Sequence, residues 1–239
     1  MAFEKYDIDT VEGIEELRNR MSEASSVRDW SFILQDYISR GNGKISDNTA
    51  IFNMGSATDC INGETEHCQV PFEDCYARKA ETSYAPQSLP YRRRQEYLWD
   101  SIPPELWAKA FMLSNKRNRK KFTNIRFNES GDFRTNGDII RVNRIAELLD
   151  IDVYTYSASD YLNWDLATNF TINASNDLQD YGDRQFSVMP KDADLPDNTV
   201  WCPYSVQQNN GVPEDERRKC GDCKICINKE GPNVALEMH

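Results

Sequence analysis

Histidine is almost absent. The 239 residues contain two, His67 and His239, so catalysis built on imidazole has little to work with. Long apolar runs are missing too, and no stretch approaches the roughly 20 residues that a membrane-spanning helix needs. Neither a Walker-type loop nor a dinucleotide glycine fingerprint occurs, and no convincing hydrolase triad can be assembled. The first residues lack the basic start and apolar stretch of a secretory leader, so a cytoplasmic location is expected (the host cytoplasm, if the protein is viral). Positive charge is scarce as well: 28 Lys and Arg stand against 39 Asp and Glu, for a net charge of -11. A chain this acidic cannot coat nucleic acid over its whole surface.

What the sequence does have is seven cysteines. An odd number cannot pair completely, and a reducing compartment disfavours disulfides, which leaves packing, reactivity and metal binding. The sharpest signal is Cys220-Gly221-Asp222-Cys223-Lys224-Ile225-Cys226. This spacing wraps a loop around one centre, and bacterial ferredoxins use it to hold three corners of an iron–sulfur cubane while a distant Cys-Pro supplies another ligand. Cys202-Pro203 can take that distant role, and Gly221 lets the backbone turn tightly. Zinc is the rival, although a structural zinc site more often uses two separate Cys-x2-Cys knuckles.

Cys60, Cys68 and Cys75 form the second group, in a polar loop broken by Gly63 and Pro71. Three thiolates can hold a cubane and leave one iron open. His67 as a fourth ligand would instead close a zinc site, while an ordinary loop histidine is the plainer reading. A three-cysteine site beside a four-cysteine site uses all seven thiols and would pair a reactive centre with an electron relay.

Hydrophobic periodicity places these groups on a fold. Helices are expected at 11–21, with Thr10 as N-cap, and at 30–37. One or two more are expected between 90 and 113, interrupted at Pro103-Pro104, followed by an amphipathic helix over 138–149 that Asp138 could cap, and a short one over 159–166 capped by Ser159. Strands are expected at 50–54, 123–127, 152–156, 170–173, 185–189 and 199–202. Alternation of this kind implies α/β architecture: a partial (βα) barrel of about six mostly parallel strands, with a doubly wound sheet as the competitor. A helical extension (1–48) would precede the barrel domain (49–204), and a cysteine-rich metal-binding segment (205–239) would pack on it. Chemistry in such folds gathers at the C-terminal ends of the strands, where Glu129, Ser130, Gly131 and Asp132 follow the second expected strand. Glu129 and Asp132 are the candidates for acid–base work.

Cys60 with Gly63, Cys68, Cys75-Tyr76-Ala77-Arg78, Ser130-Gly131-Asp132-Phe133 and the closing Cys-Gly-x-Cys-x-x-Cys resemble the phage and plasmid "gene product 88" family over roughly residues 50–228. The layout is also similar to that of radical S-adenosylmethionine enzymes: a three-cysteine loop after the first strand, a partial barrel and a C-terminal auxiliary cluster. The cysteine spacing differs, with seven and six intervening residues where those enzymes usually have three and two. The resemblance implies one or two 4Fe-4S clusters and S-adenosylmethionine as cofactor, contacted by Ser130, Gly131 and Asp132.

The alternative is a non-enzymatic zinc protein that binds nucleic acid or a protein partner. Its support is a locally basic stretch, Arg92, Arg93 and Arg94 followed by Lys116, Arg117, Arg119, Lys120 and Lys121, with aromatics nearby.

Overall fold

A computed structural model describes residues 5–64, 67–68, 70–175 and 181–237. Two helices open it, α1 (Ile14–Glu23) and α2 (Val27–Asp36). Helix α2 starts on a capping box: Asp29 N–H donates to Ser26 Oγ at 3.2 Å, and Ser26 N–H donates to the Asp29 carboxylate at 2.9 Å. Helix α1 starts at Gly13, in the left-handed region, and not at Thr10, which ends a short 3₁₀ turn. The buried Val11 extends the apolar pattern ahead of the helix proper.

The chain continues through β1 (Ser39–Arg40), β2 (Thr49–Phe52), α3 (Ile61–Glu64), α4 (Tyr76–Lys79) and a π-helical turn at Ala80–Tyr84. Next come α5 (Ser88–Ser101) and α6 (Pro104–Arg117). They part at the expected proline pair, Pro104 taking the first helical turn where its missing N–H does no harm. The remainder is β3 (Asn124–Phe127), α7 (Asn136–Leu148), β4 (Asp152–Ser157), β5 (Thr171–Ser175), β6 (Arg184–Met189), β7 (Thr199–Trp201), α8 (Pro203–Asn209), α9 (Cys220–Cys223) and β8 (Asn233–Glu237).

All eight strands join one sheet in the order β1-β2-β3-β4-β5-β6-β8-β7, parallel throughout except for the antiparallel edge strand β1. The architecture is therefore mixed α/β with a mostly parallel sheet that does not close into a barrel. Among the described residues, eight strands replace the expected six. The additions are the two-residue β1 and β8, which lies beyond the cysteine run. Strand order rises without reversal from β1 to β6, whereas a doubly wound sheet reverses at its centre.

Consecutive right-handed crossovers in one direction put their helices on one face. Ala50, Phe52, Ile125, Phe127, Val153 and Ile172 point to that face and form one core with residues of α1, α2, α5, α6 and α7. Its centre is aromatic: Phe52 and Trp107 meet edge to face at 5.6 Å, and Trp99 and Phe127 at 5.7 Å. Full burial of each such side chain stabilises the fold by about 1.5–3 kcal/mol.

Two further expectations are corrected. Residues 159–166 form only a 3₁₀ turn, Trp164–Leu166, capped by Asn163, because the Ser159 hydroxyl is spent on the Phe133 carbonyl at 2.8 Å. Helix α7 is capped by Thr135, while Asp138 accepts from the Trp99 indole at 2.8 Å and pairs with Arg134 at 3.1 Å. No helix among the described residues is long and apolar enough to cross a membrane.

Candidate functional site

Alternation along the strands turns Arg126, Tyr154, Tyr156, Ser175, Phe186, Val234 and Leu236 away from the helices. On this opposite face they floor a cavity of about 350 Å³ that is also lined by Cys202, Cys220, Cys223 and Cys226. The cysteine loop is tied down by polar contacts. Cys220 N–H donates to the Lys44 carbonyl at 2.9 Å, and Gly221 N–H to Ser46 Oγ at 3.1 Å. Any side chain at Gly221 would strike Ser46 and Asn48. Asn173 Nδ2 donates to the Cys226 carbonyl at 3.0 Å. Cys202 reaches the same cavity because β7 ends there, its N–H donating to the Ala235 carbonyl at 2.7 Å.

Arg184 is 3% exposed beside Cys226, and among the described residues its hydrogen-bond partners are the Asn173 side chain and the carbonyls of Asn228 and Lys229. It makes no contact there with a carboxylate. Burial pushes the Cys226 thiol up to about 12, with the Tyr156 hydroxyl and the Arg184 charge acting in the opposite direction. Burial also raises the Cys220 thiol, against the charges of Lys44 and Arg126.

Cys60, Cys68 and Cys75 line a second cleft of about 270 Å³. The two spaces share a wall made of Tyr76, Arg126, Glu129, Tyr156 and Ser175. Burial and the Asp132 charge push the Cys60 thiol up to about 12, while the backbone N–H groups of Asn62 and Gly63 act in the opposite direction. The Val70 N–H does the same for Cys68, whose thiol is raised by burial. His67 does not line this cleft; its Nδ1 faces Asp160 at 2.8 Å. All seven cysteines are free and half-buried, and among the described residues no three His, Cys, Asp or Glu side chains form a group able to hold a metal ion.

The loop after β3 lines the second cleft, as its sequence position suggested. Asp132, however, is committed inside the protein. Its carboxylate accepts from Ser157 Oγ at 2.6 Å, Ala158 N–H at 2.7 Å, Phe133 N–H at 2.7 Å and Asn62 Nδ2 at 2.8 Å. Glu129 has one side-chain partner among the described residues, Asn42 Nδ2 at 3.3 Å, and borders both clefts. The Ser130 hydroxyl donates to Glu81 at 2.8 Å. Gly131 has φ +69°, and a Cβ there would lie 2.9 Å from the Gly55 carbonyl oxygen. Gly131→Ala should therefore destabilise the protein by about 1–3 kcal/mol in urea unfolding.

Burial raises the Asp132 carboxyl to about 6, against the four hydrogen bonds that lower it. A carboxyl whose folded pKa lies above its unfolded value of about 3.9 binds more protons in the native state between the two values. Its contribution to stability therefore falls as pH rises through about 4 to 6. Relative to Asp132→Asn, the wild-type protein should lose stability between about pH 4 and pH 6, measured by urea unfolding at each pH; parallel curves would contradict this.

Sequence reading missed Glu81 altogether. It lies in the π-helical turn, and its side chain is 0% exposed. It accepts from Ala57 N–H at 2.9 Å, Thr58 N–H at 2.8 Å, Thr58 Oγ1 at 2.8 Å, Ser130 Oγ at 2.8 Å and Arg92 Nη1 at 2.6 Å. One carboxylate thus joins the approach to Cys60, the loop after β3 and helix α5. Within the basic stretch, Arg93 is bidentate to Asp59 at 2.7 and 2.8 Å, and Arg94 donates to the Glu12 carbonyl. Arg117 donates to Ser31 Oγ at 2.8 Å, Lys120 pairs with Asp47 at 2.6 Å, and Lys121 caps the carbonyls of Lys116 and Asn118. Lys116 and Arg119 are exposed. Arg92 and Arg93 thus serve as scaffold for the first cysteine loop.

No protein-family model matches the chain, and neither a curated protein nor a solved structure gives a match.

Proposed function

We propose that this chain is an iron–sulfur protein of the radical S-adenosylmethionine type, built on a partial α/β barrel and akin to the phage and plasmid gene product 88 proteins. Cys202, Cys220, Cys223 and Cys226 would hold a closed cluster. Cys60, Cys68 and Cys75 would hold a second cluster with one open coordination position. The observation that carries this reading is the adjacency of a four-thiol cavity and a three-thiol cleft across a common wall.

The donors are of the type such a group takes: seven free thiols, four around one cavity and three in the neighbouring cleft. Arg184, shielded and without an acid partner among the described residues, suits an anionic thiolate-bound group beside Cys226. Backbone N–H groups near Cys60 and Cys68 act against the burial that raises both thiols. A strand order rising from β1 to β6, which a barrel winding would also give, supports the partial-barrel reading.

Held by Cys60, Cys68 and Cys75, an open cluster would supply one-electron chemistry toward a sulfonium cofactor, and one held by Cys202, Cys220, Cys223 and Cys226 would supply electron relay. The residues of the wall would position what enters either space. With Asp132 spent on four internal donors, Glu129 is the carboxylate available to bind a cofactor amine or to move a proton.

Electron paramagnetic resonance of the anaerobically purified, dithionite-reduced protein tests the reading. Two cluster signals are expected, one of which changes when S-adenosylmethionine is added. An unchanged spectrum would remove the cofactor from the account. A silent, colourless protein with stoichiometric zinc would favour the zinc-stapled binding module.

A further inference from the structure

Arg126 stands on β3 in the wall common to both cysteine-lined spaces. Its guanidinium lies 4.6 Å from the Tyr156 ring centroid, and its Nε is shielded from solvent without a hydrogen-bond partner. Among the described residues no carboxylate is in ion-pair contact with it. Glu129, which it senses electrostatically, gives its Oε1 to Asn42 instead. Neighbouring arginines are treated differently: Arg92 has Glu81, Arg93 has Asp59, and Arg134 has Glu96, Asp100 and Asp138. A guanidinium that faces a cleft without a counter-ion is open to an anion that reaches it.

Two more polar atoms in the three-cysteine cleft are also without partners, Asn62 Oδ1 and Asn128 Nδ2, on side chains of residues 1% and 3% exposed. One accepts and the other donates. The lining of the same cleft also includes Val70, Phe72, Tyr76 and Tyr156, which offer apolar and aromatic surface.

We propose that the three-cysteine cleft binds a small organic monocarboxylate, anchored by the planar fork of Arg126. A single guanidinium balances one negative charge, and the carboxylates of Glu129 and Asp132 on the same cleft oppose a second. A carboxylate with an apolar body is therefore favoured over a phosphate. The proposal rests on the two-centre reading only in taking this ligand to be the molecule acted upon; the anion site itself stands on Arg126.

Equilibrium dialysis of radiolabelled benzoate against the anaerobically purified full chain, with its own metal complement, tests the proposal. One saturable site per chain is expected, not competed by benzamide and competed only weakly by phenyl phosphate. Arg126→Gln should weaken binding at least tenfold. Arg126→Lys keeps the charge but loses the fork, should bind with intermediate affinity, and decides the matter if the glutamine variant does not fold. The proposal is overturned by benzoate binding weaker than about 10 mM, by equal competition from benzamide, by tighter binding of phenyl phosphate, or by wild-type affinity in both variants. Iron and acid-labile sulfide measured on the same samples keep the two readings apart, because their absence sinks the cluster and leaves the benzoate result standing.

Discussion

Glu81→Ala should lower the stability of the protein by about 3–5 kcal/mol, the largest effect expected of any substitution outside the aromatic core. The side chain is fully shielded and receives five donors, including the Ala57 and Thr58 N–H groups that lead into Cys60. Removing it strands those two N–H groups and leaves the Arg92 guanidinium, 13% exposed, facing a hole. Urea unfolding of the variant measures the loss. Replacing both partners with apolar residues should recover a substantial part of it, because a vacated ion-pair site is less harmful than a half-filled one. A loss below about 1 kcal/mol would mean that Glu81 does not organise the first cysteine loop.

Cys226→Ser should abolish one metal centre and spare the other. Cys226 shares its cavity with Cys202, Cys220 and Cys223, whereas Cys60, Cys68 and Cys75 line the neighbouring space. A protein with two cubanes should fall from about eight irons per chain to about four, with sulfide falling in parallel. Cys68→Ser should produce the same loss from the other side, and the double variant should bind almost none. Iron and sulfide analysis, with the visible spectrum, reads the result directly. If either single variant emptied both sites, the seven cysteines would be serving one centre and the division into four and three would be wrong.

Much of the fold was legible because its signals are local. The Pro103-Pro104 pair marks the break between α5 and α6, and α7 shows its apolar stripe plainly. β8 was not legible: Asn233–Glu237 is short, lies outside the alternating pattern, and becomes a strand only because β6 and β7 offer edges on both sides. The candidate site was legible as chemistry but not as connectivity. Cysteine spacing pointed to two groups, and the strand-end rule pointed to the loop after β3. Nothing in the sequence could say that Asp132 is consumed by four donors while Glu129 has one, since those donors come from as far away as Asn62 and Ala158. Glu81 was invisible for the same reason. A glutamate in a polar stretch reads as solvated until the fold brings Arg92, Ser130 and the Thr58 backbone to it. The partners of the three-arginine run were equally hidden, because Glu81, Asp59 and the Glu12 carbonyl sit 11, 34 and 82 residues away.

The most direct test of the central claim is the iron and acid-labile sulfide content of the chain purified without oxygen. The account predicts both at about four to eight per chain, with a broad brown absorption that disappears on exposure to acid. Zinc in stoichiometric amount with no sulfide would contradict it.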